Sequence, residues 1–474
     1  MTKKLWYILI LLCFLNSFAQ VQEKPNVVFI IADDLGINAL HAYGNEFVES
    51  PNIDQLFAEG MHFTNGYSSD PTCAPSRASI MSGQYVPRHK VYRVADRYKD
   101  DPKTIKNMKF LPPEVNRSSD GKGLSPEKIT IAEVLDQNGY LTAGFGKWHL
   151  GRKSMAMENQ GFDEALEVTG HYNFKIHSET TIEKPDSLYS SDFITEKGID
   201  FMKKSVEDQQ PFFLYMPYYL VHKPLEPKPE YLQHFQKKYD GNKELSKEDL
   251  AVLAMIKSLD ENVGQLTKAI QDLNIEKETI VIFVSDNGHY KTDGELFNRP
   301  YRGYKGQTFE GGIRVPYIFK WPGKIAENSK SEQPIIHVDL YPTIAGLTNS
   351  QIDEDYILDG ENLSPILLGE AEEAKREALI WEYTNYARYN ENLDKFASSW
   401  VNVIQKDGFK MTEDVEKGKY QLYNLNKDPY EEEEVSEKYP EIIEDLKNSL
   451  EAWKMETGYE KPSLNKAFKN YNRN

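Results

Sequence analysis

The sequence predicts an α/β fold: a mostly parallel central sheet flanked by helices, followed by a small C-terminal antiparallel sheet plus helix. Three observations carry this reading. Asn26 to Ala32 (NVVFIIA) and Thr279 to Ser285 (TIVIFVS) are short, continuous apolar runs, the pattern of strands covered on both faces. Leu141 to Phe145 and Pro211 to Tyr219 share that character, and helical patterns at Ile129 to Gln137 and Asp249 to Leu273 lie between such runs. From about Gly369 the texture changes, with the charged stretch GEAEEAKRE followed by strand-like segments around Leu379 to Tyr383, Trp400 to Gln405 and Tyr420 to Leu425.

Taken in order, the chain opens with Lys3 and Lys4, an apolar stretch from Leu5 to Leu15, and the small residues Ser17 and Ala19. This reads as a signal peptide over residues 1–19, leaving a large domain over 20–370 and a small α+β domain over 371–474. A lipid anchor on Cys13 is disfavoured, because Ile10, Leu11 and Leu12 before it are not small. No other stretch approaches the roughly 20 apolar residues of a membrane-spanning helix, so no transmembrane segment is expected. Tyr439 to Thr457 places Ile442, Leu446, Leu450 and Trp453 at helical spacing, as for a helix laying one face on the C-terminal sheet. The acidic run Glu431 to Glu434 reads as a solvated turn.

The formal net charge of −18 argues against nucleic acid as a partner and makes any local cationic cluster informative. Once Cys13 leaves with the leader, Cys73 is the only thiol of an exported chain. Such a cysteine forms an intermolecular bridge, stays a reactive or buried thiol, or does not remain a cysteine.

Asp33 and Asp34 follow the first apolar run, and Asp286 with Asn287 repeats the arrangement after the run at 279–285. In parallel sheets, ligands gather at the carboxyl ends of strands. Four oxygen donors suit calcium or magnesium better than zinc, and adjacent carboxylates would repel one another without a cation. Cys73 lies in CAPSRASIMSG, where Pro75 fits the first position of a helix and Arg77 its first turn. Unpaired amide groups and a guanidinium there favour an oxyanion, without distinguishing sulfate from phosphate.

Cys73, Pro75, Ser76, Arg77, Met81, Ser82 and Gly83 resemble the signature of type I sulfatases, and GYLTAGFGKWHLG at 139–151 resembles the family's second motif, supplying Lys147 and His149. Phe145 is bulkier than the residue expected there, which implies local repacking. The resemblance extends to His222 in YYLVHKPLEP, to SDNG at Asp286 and Asn287, to Lys305 in YKGQTFEGGIRVP, and to LYNLNKDPYEEEEV near the C terminus. It implies an alkaline phosphatase-like fold and conversion of Cys73 to formylglycine (3-oxoalanine) by a formylglycine-generating or equivalent maturation enzyme. It implies Ca2+ held by Asp33, Asp34, Asp286, Asn287 and the modified Cys73. Arg77 and Lys147 would offset sulfate charge, His222 and Lys305 would donate a proton to the leaving alcohol, and His149 would act as the base that regenerates the aldehyde.

The implied activity is hydrolysis of sulfate esters, on a sulfated polysaccharide or its oligosaccharides. The leader implies export, to the periplasm first and otherwise to the medium or the cell surface; its ending in SFAQ resembles those of the Bacteroidetes, which points to algal glycans such as ulvan, carrageenan and fucoidan, or to host glycosaminoglycans. Between Arg88 and Lys122 there are ten Lys or Arg against five Asp or Glu. Arg88, His89, Arg93 and Arg97, interleaved with Tyr92 and Tyr98 after Tyr85, are expected to rim the pocket and attract a polyanionic sugar, with His171 and His177 as weaker rim residues. The competing readings are a phosphonate monoester or phosphodiester hydrolase of the same superfamily and a glycan-binding relative without catalysis.

Overall fold

A computed structural model describes residues 24–94, 110–111, 123–177, 189–293, 295–384, 389–390, 395–396 and 400–464. The expected signal peptide, Arg97 and Tyr98 lie outside these residues. Nine strands form the main sheet: β1 (Asn26–Ala32), β2 (Met61–Phe63), β3 (Leu141–Gly146), β4 (Glu164–Thr169), β5 (Lys175–His177), β6 (Phe212–Pro217), β7 (Thr279–Ser285), β8 (Tyr317–Lys320) and β9 (Ser329–Ser331). Their order is β9-β2-β8-β7-β1-β6-β3-β4-β5. The five central strands β7-β1-β6-β3-β4 are parallel, while β8 runs antiparallel to β7 and β5 antiparallel to β4.

Seven helices matter below: α1 (Pro51–Ala58), α2 (Cys73–Ser82), α3 (Ile131–Gln137), α4 (Ser190–Glu207), α5 (Lys247–Asp272), α6 (Leu340–Leu347) and α7 (Pro440–Thr457). Every residue of β1 is buried, and its alternate side chains enter two different cores. Val28, Ile30 and Ala32 pack with residues of α1, α4 and α5, whereas Val27, Phe29 and Ile31 pack with residues of α2, α3 and α6. This two-sided burial is why the strand reads as an unbroken apolar run. Capping boxes fix two helix starts, Thr130 with Glu133 for α3 and Ser246 with Asp249 for α5.

Helix α2 begins at Cys73, two residues before the start expected at Pro75. Asp70 Oδ1 accepts from the Thr72 amide at 2.8 Å and from its hydroxyl at 2.5 Å, fixing Thr72 as the cap. Pro75 is tolerated inside the first turn, where amides have no intrahelical acceptor to lose. Phe145 is buried and meets Phe201 of α4 edge-on at 6.3 Å, so its bulk is absorbed in the core.

The C-terminal sheet is antiparallel, β10 (Leu379–Thr384), β11 (Trp400–Lys406), β12 (Phe409–Asp414) and β13 (Lys419–Asn424) in that order. Strand β12 was not anticipated. The sheet shares a core with Tyr67, Ile313, Ile336 and Val338 of the preceding part of the chain, and Trp381 Nε1 donates to the Ser68 carbonyl at 2.6 Å. Leu446, Leu450 and Trp453 of α7 are buried in that core, as their spacing predicts. The solvated turn expected at 431–434 is corrected at its first residue: Glu431 is buried, because Lys410 Nζ lies 2.9 Å from its carboxylate. No described helix is long and apolar enough to cross a membrane.

Candidate active site

The carboxyl ends of the parallel strands supply the site. Asp33 and Asp34 follow β1, Asp286 and Asn287 follow β7, Lys147 and His149 follow β3, and His222 lies beyond β6. The ends are tied together by backbone bonds: Asp33 N to Leu220 O at 2.8 Å, Lys147 N to Pro217 O at 2.7 Å and Asp286 N to Ala32 O at 3.1 Å. Asp34 has a left-handed backbone (φ 62°), and its amide donates to Asp286 Oδ1 at 3.1 Å. This turn aims both neighbouring carboxylates inward.

Cys73, at the first position of α2, is 1% exposed. Its Sγ lies 3.3 Å from Asp33 Oδ1, 3.7 Å from Asp34 Oδ1 and 3.1 Å from Lys305 Nζ. Burial, with Asp286 and Asp33 nearby, pushes the thiol well above its ordinary value. An unmodified Cys73 is therefore held as a thiol, a poor nucleophile. Arg77 is fully buried; Nε and Nη2 meet Asp286 Oδ2 at 2.9 and 2.8 Å, and Nη1 donates to the Lys147 carbonyl at 2.7 Å. Lys147 Nζ contacts Asp33 Oδ2 and Lys305 Nζ contacts Asp34 Oδ1. Burial alone would lower the Lys305 ammonium, but Asp34 outweighs it and holds it well above its ordinary value.

Asp33, Asp34, Cys73 and Asp286 each offer a donor atom, and these atoms lie within 4.8 Å of one another. Asn287 Nδ2 donates to Asp34 Oδ1 at 2.8 Å, while its buried Oδ1 has no hydrogen-bond partner among the described residues. Three carboxylates and an unpaired amide oxygen form a hard donor set that fits a divalent cation. The structure thus brings together all the metal ligands expected from the sequence.

Two histidines differ in access. His149 has φ 64°, its buried Nδ1 has no hydrogen-bond partner among the described residues, and burial with Lys147 and Arg77 nearby keeps it neutral, well below its ordinary value. The His222 side chain is 28% exposed and that of Lys305 18%, which makes these two the solvent-facing edge of the site. His222 Nε2 lies 3.8 Å from Asp34 Oδ2, and its Nδ1 bonds the Lys223 carbonyl. Burial and Lys147 push its pKa down to about 3.

Three supporting residues escaped the sequence reading. His289 Nδ1 bonds the Asp34 carbonyl at 2.6 Å, and its place directly after SDNG was the signal that could have found it. His337 bridges the Ser285 carbonyl (3.0 Å) and the Ser69 amide (3.3 Å), tying the exit of β7 to the turn before Cys73. Asp70 caps that turn. Neither His337 nor Asp70 has a recognisable local pattern.

The expected cationic rim is largely overturned among the described residues. Arg88 Nε pairs with Asp359 at 2.7 Å, and His89 is 1% exposed between Ser79 Oγ (3.0 Å) and the Val91 amide (3.0 Å). Tyr85 and Tyr92 are buried, and Arg93 is half-buried. His171 is buried against the His222 carbonyl at 2.9 Å, while His177 lies on β5 with Thr169 and Arg152 as neighbours. The local count of charges missed carboxylates that reach these residues from far along the chain.

The family model for sulfatases matches residues 25–350. The chain belongs to the sulfatase family. A second family model, described as N-sulphoglucosamine sulphohydrolase, C-terminal, matches residues 304–456 of the sulfatase. It is 26% identical to a sulfatase of Formosa agariphila, over 91% of this chain and 89% of that one. It is also 26% identical to the N-acetylgalactosamine-6-O-sulfatase of Bacteroides thetaiotaomicron, over 92% and 94% of the two chains. Among solved structures, Ps i-CgsB in complex with k-i-k-neocarrahexaose superposes with a TM-score of 0.74 at 27% identity, over 91% of this chain and 93% of that one. The sulfatase has the expected alkaline phosphatase-like fold, and its activity is hydrolysis of sulfate esters.

Proposed function

We propose that this sulfatase is an exported enzyme that hydrolyses sulfate esters on a sulfated polysaccharide or its oligosaccharides, with formylglycine at position 73 and calcium held by Asp33, Asp34, Asp286 and Asn287. The observation that carries the reading is the placement of Cys73 Sγ: at a helix start, 3.3 Å from Asp33 and 3.1 Å from Lys305, inside a fully buried donor set with an unpaired Asn287 oxygen. Its relatives support the substrate class, one being named an N-acetylgalactosamine-6-O-sulfatase and a solved neighbour being in complex with k-i-k-neocarrahexaose.

When bound, calcium would supply Lewis acidity and a fixed positive charge where the sulfate oxygens gather. Formylglycine would supply, as its hydrate, an oxygen nucleophile where the thiol is unreactive. The remaining work falls to the chain's own residues. Arg77 holds Asp286 and the Lys147 carbonyl in place, and Lys147 and Lys305 bring two ammonium groups to the anionic group. Lys305, held charged and partly exposed, is positioned to give a proton to the departing alcohol, with His222 beside it on the same edge. His149, kept neutral by burial, can accept a proton when the nucleophile is regenerated. Residues 20–370 carry this chemistry, and residues 371–474 form the small domain.

The test is turnover of a panel of defined sulfated oligosaccharides, with an aryl sulfate and an aryl phosphate alongside, before and after removal of calcium with a chelator. Hydrolysis of the sulfate esters that disappears with the chelator and returns with calcium supports the proposal. Faster turnover of the phosphate ester would favour the phosphoester or phosphonate reading.

A further inference from the structure

Lys305 stands on a loop that the main sheet does not hold by itself. The loop folds back between Tyr301 and Ile313, with Gly311 N bonded to Arg302 O at 2.7 Å and Gly312 N to Phe309 O at 2.8 Å. Packing is so close that a Cβ on Gly312 would lie 1.9 Å from the Gln307 carbonyl. At its tip, Lys305 N donates to His289 O and Gly306 N to Pro71 O, both at 2.8 Å.

The base of this loop is fastened by the C-terminal sheet. Glu431, in the left-handed region at φ 58°, turns its carboxylate inward: Oε2 accepts from the Glu310 amide at 2.7 Å, and its carbonyl accepts from Arg302 Nη1 at 2.7 Å. Lys410 of β12 lies 2.9 Å from Glu431 Oε1 and 3.0 Å from Glu310 Oε1. Arg314 completes the set from the other side, its Nε 2.8 Å from Glu310 Oε2. Lys410, Glu310 and Glu431 are each 1% exposed or less. The Tyr383 hydroxyl of β10 backs the tip, 3.2 Å from where a Cβ on Gly306 would stand.

Two acids and two bases buried together at one junction give a structure that is rigid when complete and costly when one charge is missing. Nothing in sulfate chemistry requires these groups, and none of them touches Cys73 or the metal donors. We infer that the buried Glu310–Lys410–Glu431 clamp is a positioning device, by which the C-terminal sheet sets the Lys305 ammonium against the leaving group. The inference rests on the reading of Lys305 as the group that acts at the departing oxygen.

The test is a double-mutant cycle on the full-length enzyme, combining Glu431→Gln or Lys410→Met with Lys305→Ala and using aryl sulfates of graded leaving-group acidity. Calcium content and the unfolding midpoint of each variant are measured in parallel. Glu431→Gln should lower kcat about tenfold or more, since misplacements near 1 Å cost on the order of a hundredfold. The loss should be greatest for the poorest leaving groups, with little change in KM. In the Lys305→Ala background the same substitution should cost almost nothing further. Equal losses in both backgrounds, or losses independent of the leaving group, would overturn the proposal and make the clamp merely structural. Should Lys410→Met fail to fold, the milder Glu431→Gln keeps an acceptor for the Glu310 amide and decides the matter. Full activity of Lys305→Ala alone would instead defeat the underlying assignment of Lys305.

Discussion

The ion pair between Arg77 and Asp286 is worth breaking in both directions. Arg77→Met removes two short hydrogen bonds and the ion pair of Nη2, and strands the Asp286 carboxylate, 0% exposed, without its main cation. Removing one partner of a buried charge pair costs about 3–5 kcal/mol, whereas removing both leaves no charge uncompensated. Asp286→Asn alone should cost a similar amount, since it leaves the buried guanidinium with Asp33, 3.9 Å away, as its remaining carboxylate. The double variant Arg77→Met with Asp286→Asn should then be no less stable than either single variant. Urea unfolding of the chelator-treated protein, followed by tryptophan fluorescence, gives the four free energies. Calcium should restore part of the stability of Arg77→Met, because the metal would compensate the same carboxylate, and none of that of Asp286→Asn. Additive losses in the double variant would refute the coupling and with it the electrostatic account of this end of the sheet.

Arg88→Ala should lower stability by about 1.5–3 kcal/mol, as a lost hydrogen bond between charged groups would, while leaving the ratio of oligosaccharide to aryl sulfate turnover unchanged; a selective loss on the oligosaccharide would reinstate Arg88 at the rim. His89 accepts from the Val91 amide at Nδ1 and meets Ser79 at Nε2, and burial pushes it down to about 3. The unfolded chain therefore takes up a proton as pH falls below about 6.5 while the folded one does not, so stability drops between there and pH 3 by about 1.4 kcal/mol per unit for this group. His89→Asn should flatten that slope, and an unchanged slope from pH 6 to 4 would contradict the assignment. Glu382 is 2% exposed, neither carboxylate oxygen has a hydrogen-bond partner among the described residues, and burial pushes its carboxyl well above the ordinary value. Such a group stabilises the fold most below about pH 4.3 and progressively less as pH rises. Glu382→Gln should therefore raise the unfolding midpoint at pH 7 and have little effect at pH 4; destabilisation at pH 7 would reveal a partner for the charge.

The elements legible in the sequence were those whose environment is written in a few consecutive residues. β1 and β7 announce themselves because both faces are buried, and the acids that end them stand out against the apolar run. Strand β12 reads FKMTED, four of its six residues polar, and only the distant carboxylates of Glu310 and Glu431 explain why Lys410 can be buried there. The same blindness to distance misplaced Arg88, whose partner Asp359 lies 271 residues on, and turned Glu431 into an expected surface residue. Short strands such as β2 and β9, three residues each, offer too little pattern to be seen at all. Asp33, Asp34, Asp286, Asn287 and Cys73 could be singled out because they stand at strand ends and at one helix start, and the structure places them side by side. Their supports, His337 above all, act through backbone carbonyls and amides and leave no trace in side-chain patterns.

If position 73 works as an aldehyde, activity must follow its aldehyde content. Mass spectrometry of the peptide containing residue 73, on preparations matured to different extents, gives the fraction in which the cysteine sulfur has been replaced by an aldehyde oxygen. Aryl sulfate turnover per mole of protein should rise in proportion to that fraction and extrapolate to zero with it. Full turnover in a preparation whose Cys73 is entirely unmodified would contradict the account.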